Sequence, residues 1–319
     1  MRIEAFAAPA MVTWQLTRDC DLACLHCCTD SAPGKALPGE LSRAQALKLC
    51  AEIVAAGVPY AMIVGGEPTL APHFAEVCKT LSDGGVLLKV ETNGQNFDPA
   101  TLKGLGIRSV QISLDGASQA VYGRQRVNGL LDKAVAACRS TVAAGLPLEI
   151  TFAPTRLNIF EAEAVIDLAA NLGAFRFNTG QLMRLGTAAK LWDKLEPTKA
   201  EYAAFLRVLE RKERELAGRV ELCYKPFSLH EEMAQRAISP SGTLLILPDG
   251  RVKVAAPLAF TCADLKSQNF LEAWASYKLA WADPRVRSGL ERLAAEPSVS
   301  AQANSWIALD NLNAMPVVV

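Results

Sequence analysis

Three thiols fall within eight residues of this 319-residue chain: Cys20, Cys24 and Cys27 are separated by three and then two residues, and Cys28 follows immediately. Thiolates so close converge on one metal centre only if the backbone curls around it as a loop. The count of three is informative. Closed structural zinc sites and simple electron-transfer clusters use four protein ligands, whereas three leave a coordination position open for something that reacts. An adjacent pair does not readily place both sulfurs on one iron, so Cys28 reads as structural rather than as a fourth ligand. On these residues alone, zinc and a structural cluster remain rival readings.

Something must hold that loop. A β-like run, Met11 to Thr17, feeds directly into it, and from Leu41 to Gly173 strands and helices alternate. Ser42 and Gln45 form a capping box for a helix that Gly57 stops. Short apolar strands follow at Tyr60–Val64, Val86–Val90, Ser109–Ser113, Leu148–Ala153 and Phe175–Asn178, with helices near Phe74–Leu81, Leu102, Leu131–Ala144 and Ala162–Leu172. Six strand-then-helix units predict a parallel sheet covered by helices. In an open doubly wound sheet and in an α/β barrel alike, the site lies at the C-terminal ends of the strands. The cysteine loop, Gly65-Gly66-Glu67-Pro68, Glu91-Thr92-Asn93-Gly94 and Ser113-Leu114-Asp115-Gly116 all fall at such ends.

Lys and Arg together number 33, as do Asp and Glu, so net charge argues for no nucleic-acid partner. No run reaches transmembrane length and the N-terminus is a poor signal peptide, which predicts no membrane association. Nine cysteines without a secretory signal fit a reducing cytoplasm. Cys50, Cys78 and Cys138 lie in apolar helical patterns and read as core residues.

Taken together, the three cysteines after the first strand, Gly65-Gly66-Glu67-Pro68 after the second, and the polar ends of the third and fourth strands resemble the radical S-adenosylmethionine superfamily over approximately Val12 to Leu185. The resemblance is nearest to the SPASM or twitch branch of peptide and cofactor maturases. It implies a partial (β/α)6 barrel, a radical SAM core over 1–220 and a small α+β extension over 221–319. It implies a [4Fe–4S] cluster on Cys20, Cys24 and Cys27, with the amino and carboxylate groups of S-adenosylmethionine on the fourth iron. It further implies reductive cleavage to a 5′-deoxyadenosyl radical, which takes hydrogen from a peptide or cofactor precursor, with a flavodoxin- or ferredoxin-type electron donor. Gly65, Gly66 and Glu67 are then expected at the cofactor's amino group, and Glu91 and Asn93 at its ribose. Ser113 stands near the same ligand, Arg126 (or Arg124) at the methionine carboxylate, and the ring of His26 against the adenine.

The C-terminal part departs from that branch. Leu244 to Val254 reads as a hairpin turning at Asp249-Gly250, followed by a helix near Phe270–Trp281, but Cys223 and Cys262 are the only thiols beyond Gly180. Two thiols do not build an auxiliary cluster, so a degenerate extension is expected. Cys262, with Cys223, is the candidate hydrogen donor to a substrate radical, and Arg184, at the end of the sixth strand, a candidate contact for an anionic substrate or the cofactor. A sugar or aminoglycoside epimerase or dehydrogenase of the same chemistry is the nearer rival function, and a non-catalytic iron–sulfur or zinc protein the more distant one.

Overall fold

The six expected strands form and lie side by side. In the computed structural model, which describes residues 3–310, they are β1 (Met11–Gln15), β3 (Tyr60–Val64), β4 (Leu87–Thr92), β5 (Ile107–Ser113), β7 (Leu148–Phe152) and β8 (Arg176–Gly180), all parallel. Two-residue strands β2 (Ala23–Cys24) and β6 (Arg126–Val127) pair antiparallel as a separate ribbon. The first helix, Arg43–Ala55, begins at the Ser42–Gln45 capping box, and Gly57 follows it at a φ of 71°.

The sheet continues past these six. β9 (Glu221–Lys225) adds parallel to β8, after a crossover through helix Lys199–Glu215, and β10 (Thr243–Ile246) adds parallel to β1. β11 (Arg251–Lys253) and β12 (Phe260–Asp264) complete an antiparallel hairpin extension, and β13 (Ile307–Ala308) closes the order. Among the described residues the result is one open sheet of eleven strands with β9 and β13 at its edges. The expected turn at Asp249-Gly250 forms, with Gly250 at a φ of 88°.

The strands are less uniformly apolar than they read. Leu88, Val90, Val110, Ile112, Leu148, Ile150 and Phe177 are fully buried in the apolar core. The alternate positions form a polar inner face, because side chains in a strand alternate between faces. There Lys89 Nζ donates to Glu149 at 2.8 Å, Asn178 bridges Glu149 at 2.6 Å and Gln111 at 3.0 Å, and Gln111 donates to Glu91 at 2.9 Å. Each partner satisfies the next, which is what burial of polar groups demands. The chain of bonds ends at Glu91, at the C-terminal end of β4.

Candidate functional site

The C-terminal ends of β1, β3, β4, β5, β7 and β8 surround a cavity of about 270 Å3, near the lower end of the roughly 300–1,000 Å3 usual for small-molecule sites. Cys20, Cys24 and Cys27 line it together with His26, Gly65, Gly66, Glu91, Ser113 and Arg126.

The cysteine loop is held from three sides. First, Gly66 N–H donates to Thr17 O at 2.7 Å and Glu67 N–H to Asp19 O at 2.9 Å. A Cβ on Gly66 would lie 2.1 Å from Asp19 O, and one on Gly65 2.9 Å from Thr17 O. Both glycines also line the cavity, so their lack of side chains serves the close packing of the cysteine loop on one side and leaves bare backbone on the cavity wall. Secondly, the β2–β6 ribbon places Cys24 opposite Arg126. Thirdly, a C-terminal segment straps the far side. Asn304 Nδ2 donates to Cys28 O at 3.1 Å and to Asp30 at 2.9 Å, while the Trp306 ring meets the guanidinium groups of Arg18 and Arg251, at 5.5 and 4.8 Å. Trp306 holds a φ of 50°, a costly conformation for a bulky residue unless its surroundings fix it. Replacing Trp306 with Ala should therefore cost about 1–3 kcal/mol from two lost cation–π contacts and packing. Hydrogen exchange should show faster opening at 27–31 before the rest of the fold. Uniform exchange across the chain would contradict this role.

Each of the three sulfurs receives a donor. Leu22 N–H reaches Cys20 Sγ at 3.4 Å, Arg126 Nη1 reaches Cys24 Sγ at 3.7 Å, and Ser31 N–H reaches Cys27 Sγ at 3.3 Å. Burial pushes the free thiols of Cys20 and Cys24 up, to about 12 and about 11, with Arg126 opposing at Cys24. As free thiols they resist ionisation; a metal centre supplies the positive charge that makes them thiolates. Among the described residues, no three His, Cys, Asp or Glu side chains converge closely enough to hold a single ion. The three sulfurs are arranged around a cavity wall, and in a four-iron cluster each cysteine ligates a different iron. The donor set fits such a cluster.

Asp115 is the hub that sequence reasoning left unassigned. Its fully buried carboxylate accepts from Arg126 Nε at 2.7 Å, His26 Nε2 at 3.1 Å and Ala153 N–H at 2.7 Å. Burial alone would raise its pKa, but Arg126 and His26 outweigh it and hold the group well below the carboxylate range. Asp115 thus fixes Arg126, which also reaches Cys24, and turns His26 so that its Nδ1 is buried without a partner. An unmet polar atom on a cavity wall is a feature that a ligand would satisfy. Before Gly116, an Asp looks like any helix cap, so only the strand-end position signalled it. Lys253, also unassigned from sequence, is buried on β11 and donates to Ala256 O at 2.7 Å, with burial lowering its pKa to about 8 against the opposing effect of Cys28.

Other expected contacts are placed differently. Glu67 Oε1 accepts from Thr69 Oγ1 at 2.7 Å and Thr92 Oγ1 at 2.8 Å, and Oε2 from Asn93 N–H at 2.8 Å. Its carboxylate staples the ends of β3 and β4 and does not line the cavity. Asn93 Nδ2 donates to Asp21 at 2.6 Å and approaches Cys20 Sγ at 3.7 Å, so its amide orders the cysteine loop. Glu91 keeps Oε1 on Gln111 and lines the cavity; burial raises its pKa, with Lys89 opposing. The structure does not bring Cys262 to the cavity. It is buried in the apolar core, its thiol 3.5 Å from Val252 O on the neighbouring strand, and burial pushes its pKa up strongly. Cys223 lies on β9, at the opposite edge of the sheet.

Comparison with known proteins places this geometry among relatives. Residues 14–173 match the sequence pattern of the Radical SAM superfamily. The chain is 38% identical over 216 residues to the mycofactocin maturase MftC of Mycobacterium ulcerans (strain Agy99), covering 66% of this chain and 58% of that protein. It is 29% identical over 252 residues to the PqqA peptide cyclase of Ruegeria pomeroyi (strain ATCC 700808 / DSM 15171 / DSS-3), covering 77% and 67%. The chain spans about half the length of the curated mycofactocin maturases it matches, 49% to 58%. In fold it is similar to Streptococcus suis SuiB bound to S-adenosylmethionine, with a TM-score of 0.71 and 14% identity over 96% of this chain and 77% of that one.

Proposed function

Since residues 14–173 match its pattern, the chain belongs to the radical SAM superfamily, whose members use a [4Fe–4S] cluster and S-adenosylmethionine, and from that premise we propose that it is an enzyme removing hydrogen from a peptide or a cofactor precursor. The observation that carries the reading is the shared wall: three cysteine sulfurs, each with an N–H donor, face the same cavity as the strand-end residues. Cys20, Cys24 and Cys27 would hold the cluster. Gly65, Gly66, Glu91, Ser113, Arg126 and His26 would hold the cofactor. When bound, the pair supplies hydrogen-atom abstraction after reductive cleavage of the sulfonium.

The chain's own residues hold, orient and shield. Arg126, fixed on Asp115, presents a cation beside Cys24 that suits a carboxylate. Ser113 and the free oxygen of Glu91 suit hydroxyl groups. Leu22, Val64 and Leu182 supply apolar wall that keeps water from the centre. The peptide assignment is supported by the names of the maturase relatives. An external one-electron donor of flavodoxin or ferredoxin type and a reducing, cytoplasmic setting belong to the same proposal. Among the described residues, no helix is long and apolar enough to cross a membrane.

The test is isotopic. Reconstituted, reduced protein should move deuterium from a labelled peptide into 5′-deoxyadenosine. Transfer from labelled sugars or aminoglycosides, with none from any peptide, would overturn the peptide assignment while leaving the chemistry intact.

A further inference from the structure

Beyond Leu182 the chain builds a second cavity, about 350 Å3 in volume, that shares Gln181 and Leu182 with the first. The two cavities therefore adjoin at Gln181 and Leu182. Arg184 stands on its wall, with its guanidinium carbon 5.3 Å from the centre of the Trp192 ring and its backbone carbonyl fixed by Ser300 Oγ at 2.6 Å. Arg184 Nε is buried and makes no hydrogen bond, and among the described residues no carboxylate pairs with this side chain. Glu196, also on the wall, neighbours Tyr202 instead, whose hydroxyl accepts from Leu182 N–H at 2.9 Å.

A guanidinium over an indole keeps its contact with the ring, but its buried Nε–H without a partner is an unmet donor that costs the free chain stability. Its fork matches the two oxygens of a carboxylate. We propose that this second cavity is the substrate subsite, and that Arg184 binds a carboxylate of the substrate, directing the rest of the molecule past Gln181 and Leu182 to the cysteine-lined cavity. The proposal rests on the peptide reading above. The carboxylate is either the C-terminus of a peptide or an acidic side chain, and the two share one chemistry.

The experiment uses cluster-loaded protein and three probes: N-acetyl-Ala-Ala-Phe as free acid, the same peptide as amide, and N-acetyl-Ala-Asp-Ala amide. Binding is read by ligand-detected NMR. At least one carboxylate probe should bind tenfold or more tightly than the neutral amide, and which one does so identifies the source. Arg184→Gln should abolish the preference and Arg184→Lys should keep part of it. S-adenosylmethionine binding and substrate-free formation of 5′-deoxyadenosine should stay unchanged in both. Because Nε has no hydrogen-bond partner among the described residues, removing that unmet donor should offset the lost contact with Trp192 and Arg184→Gln should hold Tm, whereas an arginine serving only to pack on Trp192 would leave a less stable variant. An acid-to-amide ratio near one in the wild type, whether from equal binding or from none, overturns the subsite, as does a preference that survives in Arg184→Gln. Carboxylate preference in protein that forms no 5′-deoxyadenosine would keep the subsite and sink the enzymatic reading instead.

Discussion

Replacing Asp115 with Asn should cost about 3–5 kcal/mol, the range for breaking a buried charge pair by removing one partner. Arg126 would keep its charge at 7% exposure, with no carboxylate to receive Nε. His26 would lose the contact that orients its ring, and Cys24 would lose the fixed guanidinium beside it. Chemical denaturation measures the loss. Its pH dependence follows from the direction of the Asp115 shift. A carboxyl held below its ordinary value in the folded chain contributes fully above the unfolded pKa, about 3.9, and loses that contribution as the pH falls through the folded value. The difference between wild type and variant should therefore shrink only in strong acid. Replacing both partners, in Asp115→Asn/Arg126→Leu, should recover part of the loss, since no charge is then stranded. A single variant within about 0.5 kcal/mol of wild type would show that Asp115 is no hub.

Gly66→Ala is the second large effect. The new Cβ would meet a backbone oxygen at 2.1 Å, and no side-chain rotation relieves a clash with backbone. The cysteine loop must shift, and with it all three sulfurs. Iron retained after reconstitution should fall at least tenfold, on the order of 1.4 kcal/mol or more of site free energy. Gly65→Ala, with its nearest contact at 2.9 Å, should fall less. Equal iron loading in wild type and Gly66→Ala would remove the loop-packing role of the glycine pair.

These two residues mark where the sequence was legible and where it was not. Parallel strands put a site at their C-terminal ends, so Gly65, Gly66, Glu91 and Ser113 could be found by position. Their partners could not always be found. Gly66 faces Asp19 O because the loop after β1 folds back over the turn after β3, a contact of long sequence separation. Glu67 has the chemistry to meet an ammonium, but three neighbouring groups reach its carboxylate first. The pairing of Cys24 with Arg126 runs through strands of two residues, too short to carry a period. Lys89, Gln111, Glu149 and Asn178 were hidden inside strands read as apolar, because each supplies the others with hydrogen bonds. β9 and β10 read as part of an appendage, yet they extend the parallel sheet from both sides. Residues 297–306 carry no periodic pattern because a 3-10 segment, Pro297–Ser305, and two long-range contacts at Asn304 and Trp306 define them. Cys262 offers a thiol in the sequence, but the β12 register buries it.

The central claim is that Cys20, Cys24 and Cys27 open one cavity to a reactive cluster and its cofactor. Wild type and Cys24→Ala, each reconstituted anaerobically, reduced with dithionite and given S-adenosylmethionine, provide the direct measurement. Wild type should carry about four irons per chain, show the electron paramagnetic resonance of a reduced four-iron cluster, and release 5′-deoxyadenosine with equal methionine; Cys24→Ala should do none of these. Cluster-loaded wild type that releases no 5′-deoxyadenosine, or a Cys24→Ala variant that releases it at the wild-type rate, would contradict the claim.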